Sequence, residues 1–292
     1  MTEELHKPVL LSEVLEVLKP RPGESYLDLT AGYGGHSSEI LAVTRNYKES
    51  VLIDRDSFAY EFLKGKYESE PIRIVNEDFY NAVLHEIECG NTFDMILADF
   101  GVSSPQLDRS ERGFSFSKDG PLDMRMDQSQ SLTAERVVNK YSEKELMELF
   151  VRYGEEKPGF SKKIAREIVH HRPFRTTGEL AELIRKQSGF SRVHPATRIF
   201  QAIRIEVNDE LGEIERTLPL IPKILKPGGR VAIITFHSLE DRLVKEYFKK
   251  ASSFGEESEL EIMTKTPKVA EEKELIINPR ARSATLRAAK RI

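Results

Sequence analysis

The sequence has no tryptophan and one cysteine, Cys89, in 292 residues. A single thiol excludes an internal disulfide and any cysteine-rich zinc site, so no metal is expected. Long apolar runs are missing too: nothing approaches the roughly 20 consecutive apolar residues of a membrane span. The start, MTEELHKPVL, lacks the basic-then-apolar pattern of a secretory leader. These absences predict a cytoplasmic protein without a membrane segment. The phosphate-binding signature GxxxxGKS/T is absent, which removes the commonest phosphoryl-transfer class. Repeats and low-complexity tracts are absent as well.

Net charge is also small, at −4, but it is unevenly spread. Val151–Arg204 carries 12 Lys or Arg against 5 Asp or Glu, and Pro279–Ile292 has 5 basic side chains and no acidic ones. Basic regions on an acidic chain fit a local polyanion site or a solvated helix face, and charge alone does not choose between them.

What is present centres on Tyr26–His36, YLDLTAGYGGH. An apolar run ends in a small-residue loop and a helical pattern follows, which is how α/β proteins offer backbone N–H groups to a nucleotide-like ligand. The dinucleotide form GxGxxG is incomplete, because Ser37 stands where its third glycine belongs. Asp28 places a carboxylate just before the loop, to orient it or to meet a cation.

Three more strands follow: Ser50–Ile53, Ile72–Val75 and Phe93–Ala98. The first ends at Asp54, 20 residues after Gly34, where α/β proteins hold ribose hydroxyls. A hydrogen bond of that kind to a carboxylate is worth roughly 1.5–3 kcal/mol. The next leads to Phe79, which either flanks a planar base or joins the core. The fourth ends at Asp99, followed by FGVSSPQ. Four successive strand ends with ligand-capable groups describe a pocket. A GxGG loop, a ribose acid, a base-flanking ring and a fourth-strand acid suit an adenosine ligand without a pyrophosphate, namely S-adenosylmethionine. The expected fold is therefore α/β, a class I (Rossmann-like) methyltransferase sheet.

The alternation breaks after the fourth strand. Residues 107–127 read as loop with interleaved Arg and Phe. Capping boxes at Ser142/Glu145 and Thr176/Glu179 open helices, another helix covers about 161–171, and a long amphipathic one runs from Pro195 to near Pro219. The domain reading is 1–105 for the first part of the methyltransferase domain, 106–204 for an inserted helical domain, and 205–292 for the second part. The fifth strand is expected at Arg230–Phe236, after Gly228-Gly229. Ser238 is expected to cap the next helix, with His237 facing substrate or orienting that cap. Two tail strands are expected near Glu261–Met263 and Thr285–Arg287.

The segments HKPVLLSEVL, DLTAGYGGHS, GVSSPQLD, ERGFSF, GPLDMRMD, YGEEK, HPATRIFQAIRI, GGRVAIITFHSLEDR and NPRARSATLR resemble the bacterial RsmH/MraW family of 16S rRNA cytosine-N(4)-methyltransferases. The likeness runs from His6 almost to the carboxyl terminus, with Phe100 in place of an expected leucine and a short 248–278 segment as departures. It implies methyl transfer from S-adenosyl-L-methionine to the exocyclic amine of a P-site cytidine in 16S rRNA of the small ribosomal subunit. The cofactor contacts it implies are Gly34, Gly35, His36, Asp54, Phe79, Asp99 and Gln106. Asp99 is also the candidate proton acceptor. The helical insertion, the loop with Arg109, Arg112 and Arg125, helix residue Arg198, and tail residues Arg280 and Arg282 are assigned to RNA. Phe114 and Phe116 either stack on bases or pack the loop, and Arg125 either meets a phosphate or pairs with Asp123 and Asp127.

Overall fold

A computed structural model of the chain describes residues 8–189, 194–253 and 258–292, so the first two residues of the His6 segment lie outside it. The described residues form two compact units. One holds those up to Gly101 together with those from Leu211 onward, and the other holds those of Val102–Glu210.

The first unit is built on seven strands: β1 Tyr26–Asp28, β2 Val51–Ile53, β3 Arg73–Val75, β4 Phe93–Asp99, β5 Leu225–Thr235, β6 Leu260–Ile262 and β7 Thr285–Arg291. Their spatial order is β3-β2-β1-β4-β5-β7-β6. Neighbours from β3 to β5 are parallel, while β7 runs antiparallel to both β5 and β6. Helices α1 Leu11–Leu18, α2 Gly35–Thr44, α3 Ser57–Lys66 and α4 Phe79–Glu88 accompany the first four strands. Alternate residues of β4 enter different apolar clusters: Ile96 joins Leu27, Val83, Val231 and Ile233, whereas Met95 and Leu97 join Tyr26, Leu41, Ala232 and Ile234. A parallel sheet covered on both faces buries every position of a short strand, which is why β1 and β2 are wholly buried.

The second unit contains α5 Ser104–Asp108, α6 Ala134–Lys140, α7 Glu143–Arg152, α8 Pro158–His170, α9 Thr177–Gln187 and α10 Ala196–Asn208. Both expected capping boxes form, at Ser142/Glu145 and Thr176/Glu179. Phe150, Ile164, Leu180, Ile199 and Ile203 make its core. The chain then passes through α11 Glu210–Thr217, α12 Ile221–Ile224, α13 Ser238–Ala251 and α14 Glu272–Ile277.

Three sequence readings are corrected. The long helix expected from Pro195 to Pro219 is two helices, because Asp209 adopts φ 48° and closes α10. The fifth strand starts at Leu225 rather than Arg230, and Gly228-Gly229 lies inside it where the pairing to β4 jumps from Phe93↔Leu225 to Met95↔Arg230. Gly228 takes φ 78° there, a conformation glycine adopts without penalty. The cap of α13 is His237, not Ser238: its ring accepts from the Glu240 N–H while the Glu240 carboxylate accepts from the His237 N–H.

Candidate active site

In a sheet of this order the connections leave β1 and β4 toward opposite sides, and the crevice beyond their carboxyl ends is where ligands of open α/β sheets bind. The sequence places the glycine loop after β1 and Asp99 at the end of β4.

Asp28 orients the loop. It is buried, accepts hydrogen bonds from the Tyr26 hydroxyl (2.7 Å), the Ser37 hydroxyl and the Thr30 N–H (3.2 Å), and burial raises its carboxyl above the usual range. Thr30 in turn accepts from the Asp99 N–H at 2.6 Å, so the first and fourth strand ends are fastened together. The loop backbone then turns through Gly32 (φ 54°) and Gly34 (φ 71°) into α2. A Cβ on Gly34 would lie 3.0 Å from Leu63 Cδ2 and 3.2 Å from Lys66 Nζ. Lys66 donates to the carbonyls of Tyr33 and Gly34, bracing the turn from α3. Gly35 approaches Pro8, with 3.2 Å left for a Cβ.

Asp54 stands at the end of β2, half-buried, with Oδ2 accepting from the Gly32 N–H at 2.7 Å and Oδ1 from the Asp56 N–H at 2.8 Å. Burial pushes its carboxyl up to about 6, against the pull of those two donors. Phe79 is buried as the first residue of α4, its ring 5.4 Å from that of Phe100. It thus belongs to the core and to the third strand end at once. The Phe79 N–H donates to Glu213 Oε1 at 3.0 Å, and Glu213 Oε2 lies 3.1 Å from Arg55 Nη1.

Asp99 closes the row. Its Oδ2 lies 3.7 Å from His36 Nδ1, and its buried Oδ1 has no hydrogen-bond partner among the described residues. The other ring nitrogen of His36 is 2.8 Å from the Val9 carbonyl. A carbonyl only accepts, so Nε2 carries hydrogen and Nδ1 faces Asp99. Burial, reinforced by Asp28 and Glu240, holds the Asp99 carboxyl well above the ordinary range. A cation in the crevice would favour its ionised form.

The structure therefore brings Gly34, Gly35, His36, Asp54, Phe79 and Asp99 to neighbouring loops of one unit. Gln106 belongs to the other unit, where its side chain is buried and accepts from the Ser103 N–H. Thr30, Ser37, Lys66 and Glu213 were not singled out from the sequence. Their roles depend on partners up to 134 positions away, and no local spacing marks them.

The arginines separate into two kinds. Arg112 is 2% exposed, donates to the carbonyls of Arg125 and Met126 and lies over the Phe114 ring. Its assignment to RNA is corrected: it holds the 112–126 loop together. Arg125 is held locally, by a two-pronged pair with Asp123 and by the Gln128 and Gln130 carbonyls. Phe114 is core, and Phe116 packs on His194 and Phe200. Arg198 on α10 and Arg282 are exposed, while Arg109 and Arg280 are half-buried. Cys89 caps the carboxyl end of α4, which leads into the amino end of β4, so it is exposed at the opposite end of the strands from the crevice.

The donor set of this crevice suits a cationic ligand with sugar hydroxyls, and the comparisons with known proteins agree. Residues 3–292 match the model of the MraW methylase family. The chain belongs to that family. As a member of the MraW methylase family it is a methyltransferase, and its methyl donor is S-adenosylmethionine. The proteins named "Ribosomal RNA small subunit methyltransferase H" in Cyanothece sp. and Acidobacterium capsulatum are 47% and 44% identical to it. The first alignment covers 99% of this chain and 96% of the relative, the second 100% of both. A protein of the same name in Trichormus variabilis is 47% identical over 98% of this chain and 92% of its own.

Proposed function

We propose that this methyltransferase acts on 16S rRNA of the small ribosomal subunit, moving a methyl group to the exocyclic N(4) amine of a P-site cytidine. The relatives' names support the subunit, and the resemblance to the RsmH/MraW family supports the base. A ribosomal substrate supports a cytoplasmic location. The observation that carries the chemistry is Asp99: a carboxyl group at the crevice of the sheet, one of whose oxygens is buried without a hydrogen-bond partner among the described residues.

Bound S-adenosylmethionine supplies an electrophilic methyl group on a sulfonium. The glycine loop through Gly34 and Gly35, with His36, would seat it. Asp54 would accept from the ribose hydroxyls, Phe79 would flank the adenine, and Asp99 would complete the contacts of this unit; Gln106 is a contact that the family resemblance alone implies. The cytosine amine is conjugated with its ring and weakly nucleophilic. Asp99, accepting one amine hydrogen, would localise the lone pair and take up the proton, while the S–C bond of the sulfonium would give way to the new N–C bond with its electron pair left on sulfur as the thioether. A cationic donor bound beside Asp99 would favour the ionised form, which is the one able to accept that proton. Correct placement of amine and methyl alone supplies about 7–11 kcal/mol. Carbon methylation at C5 needs a thiolate, and Cys89 does not reach the crevice. The target base must leave its stack to enter, with exposed arginines such as Arg198 and Arg282 holding the phosphates.

Purified protein, labelled S-adenosylmethionine and small subunits lacking the modification test the reading, with the product mapped by mass spectrometry. N(4)-methylcytidine in the P-site region is expected. Methylation at another nucleotide, or no transfer with the donor bound, overturns the substrate.

A further inference from the structure

The adenosine side of the donor site, as read under Proposed function, rests on two separate strand ends, and one buried carboxylate joins them. Glu213 lies on α11, the first helix after the inserted unit, and is 3% exposed. Oε1 accepts from the Phe79 N–H at 3.0 Å and Oε2 pairs with Arg55 at 3.1 Å. Arg55 follows Asp54 directly, and Phe79 opens α4. The α4 amino terminus is otherwise capped by Asp78, whose carboxylate serves the Asn81 N–H and leaves the Phe79 N–H to another acceptor. A helix start carries four such orphan donors and a partial positive charge, so a carboxylate is the fitting partner. One turn along α11, Arg216 lies over the Tyr80 ring at 5.3 Å. The two helices therefore meet at the start of α4 through two independent contacts.

We infer that Glu213 is a positioning residue for S-adenosylmethionine: by holding Arg55 and the Phe79 N–H on one carboxylate, it sets the spacing between the ribose acid Asp54 and the base-flanking ring of Phe79. An ion pair buried to this degree gives little net stability by itself. What it fixes is geometry. Asp54 and Phe79 follow neighbouring strands, whose ends are also tied by the Asp54 N–H to the Val75 carbonyl at 3.1 Å and by the Asn76 amide to the Asp54 carbonyl at 2.9 Å; Glu213 adds the tie that reaches the first residue of α4. Glu213 touches neither reacting atoms nor substrate amine, so its loss acts on donor binding rather than on the chemical step.

The test is donor binding and kinetics in Glu213→Ala and Glu213→Gln of the full-length protein. Calorimetry with S-adenosylhomocysteine is expected to show about a tenfold weaker Kd for Glu213→Ala. The Gln variant should fall between, because its amide oxygen still accepts from Phe79 while the Arg55 pair is lost. In methyl transfer the KM for S-adenosylmethionine should rise by a similar factor with kcat at saturating donor within twofold. A purely structural role would instead lower the active fraction and kcat while leaving KM unchanged. Wild-type affinity and KM in the Gln variant, or in a folded Ala variant, overturn the inference while leaving the donor site standing. Should Glu213→Ala not fold, the Gln variant decides alone. Failure of the wild-type protein to bind S-adenosylhomocysteine removes the donor-site reading and this inference with it.

Discussion

At the scale of single residues, the crevice is made of carboxyl groups kept in unfavourable surroundings. Asp28, Asp54, Asp99 and Glu213 are all raised above their ordinary values, with burial the leading cause in each. For Asp54, at about 6, the folded protein holds the proton more tightly than the unfolded chain. Its contribution to stability is therefore fully present below about pH 4 and lost as pH rises through about 6. With Asp54 holding the ribose as proposed, donor binding would run the other way, because only the ionised carboxylate accepts well from two hydroxyls. Affinity for S-adenosylhomocysteine, measured by calorimetry from pH 5 to 8, should be level above pH 7 and fall below 6. Asp54→Asn should bind about ten- to a hundredfold more weakly at pH 7.5, as expected for loss of a charge-assisted bond of roughly 1.5–3 kcal/mol, and lose that inflection. These residues were legible in part. Asp54, Phe79 and Asp99 follow from their positions at strand ends, since strand boundaries are written in local patterns. Glu213 was invisible, because the donors it accepts from are 134 or more positions distant along the chain. Arg112 misled for a related reason: a charged side chain in a polar loop gives no sign that loop carbonyls will bury it.

At the scale of elements, local signals were reliable where one side chain does the work. The Ser142/Glu145 and Thr176/Glu179 boxes both formed because a hydroxyl and a glutamate three residues on satisfy each other's backbone donors. The cap at His237 escaped because an imidazole is an uncommon acceptor there, while Ser238 next to it is a favoured cap residue. The break at Asp209 escaped because the apolar period runs on through Ile214, and a single left-handed residue leaves that pattern intact. Packing rather than propensity then holds the helices of the inserted unit. Phe150 on α7 is 0% exposed in its core, so Phe150→Ala should cost about 3–5 kcal/mol in urea unfolding. Ser142→Ala, at the start of the same helix, should cost only about 1 kcal/mol. A comparable loss in both variants would show that the cap, not the core, anchors α7.

At the scale of the whole molecule, charge decides how RNA is met. Phosphate contacts release counterions, so binding to small subunits should weaken steeply with salt, with a log–log slope near −0.7 to −0.9 for each contact. Filter binding at several salt concentrations should show Arg198→Ala and Arg282→Ala each weakening affinity and reducing that slope by about one contact. Arg112→Ala should leave the slope alone and lower the melting temperature instead, because its guanidinium holds backbone carbonyls. An unchanged slope in all three would move the RNA surface elsewhere. The sheet itself carries a further consequence. Asp99 on β4 pairs with Ile234 on β5, yet the ribosome must synthesise the entire inserted unit between them. Throughout that interval the nascent chain presents four parallel strands with the outer side of β4 bare, an edge that invites pairing with any other strand. Newly made protein halted near residue 210 should therefore be the form most dependent on chaperones, and the helices of the insertion would have to fold while the sheet they interrupt is still unfinished.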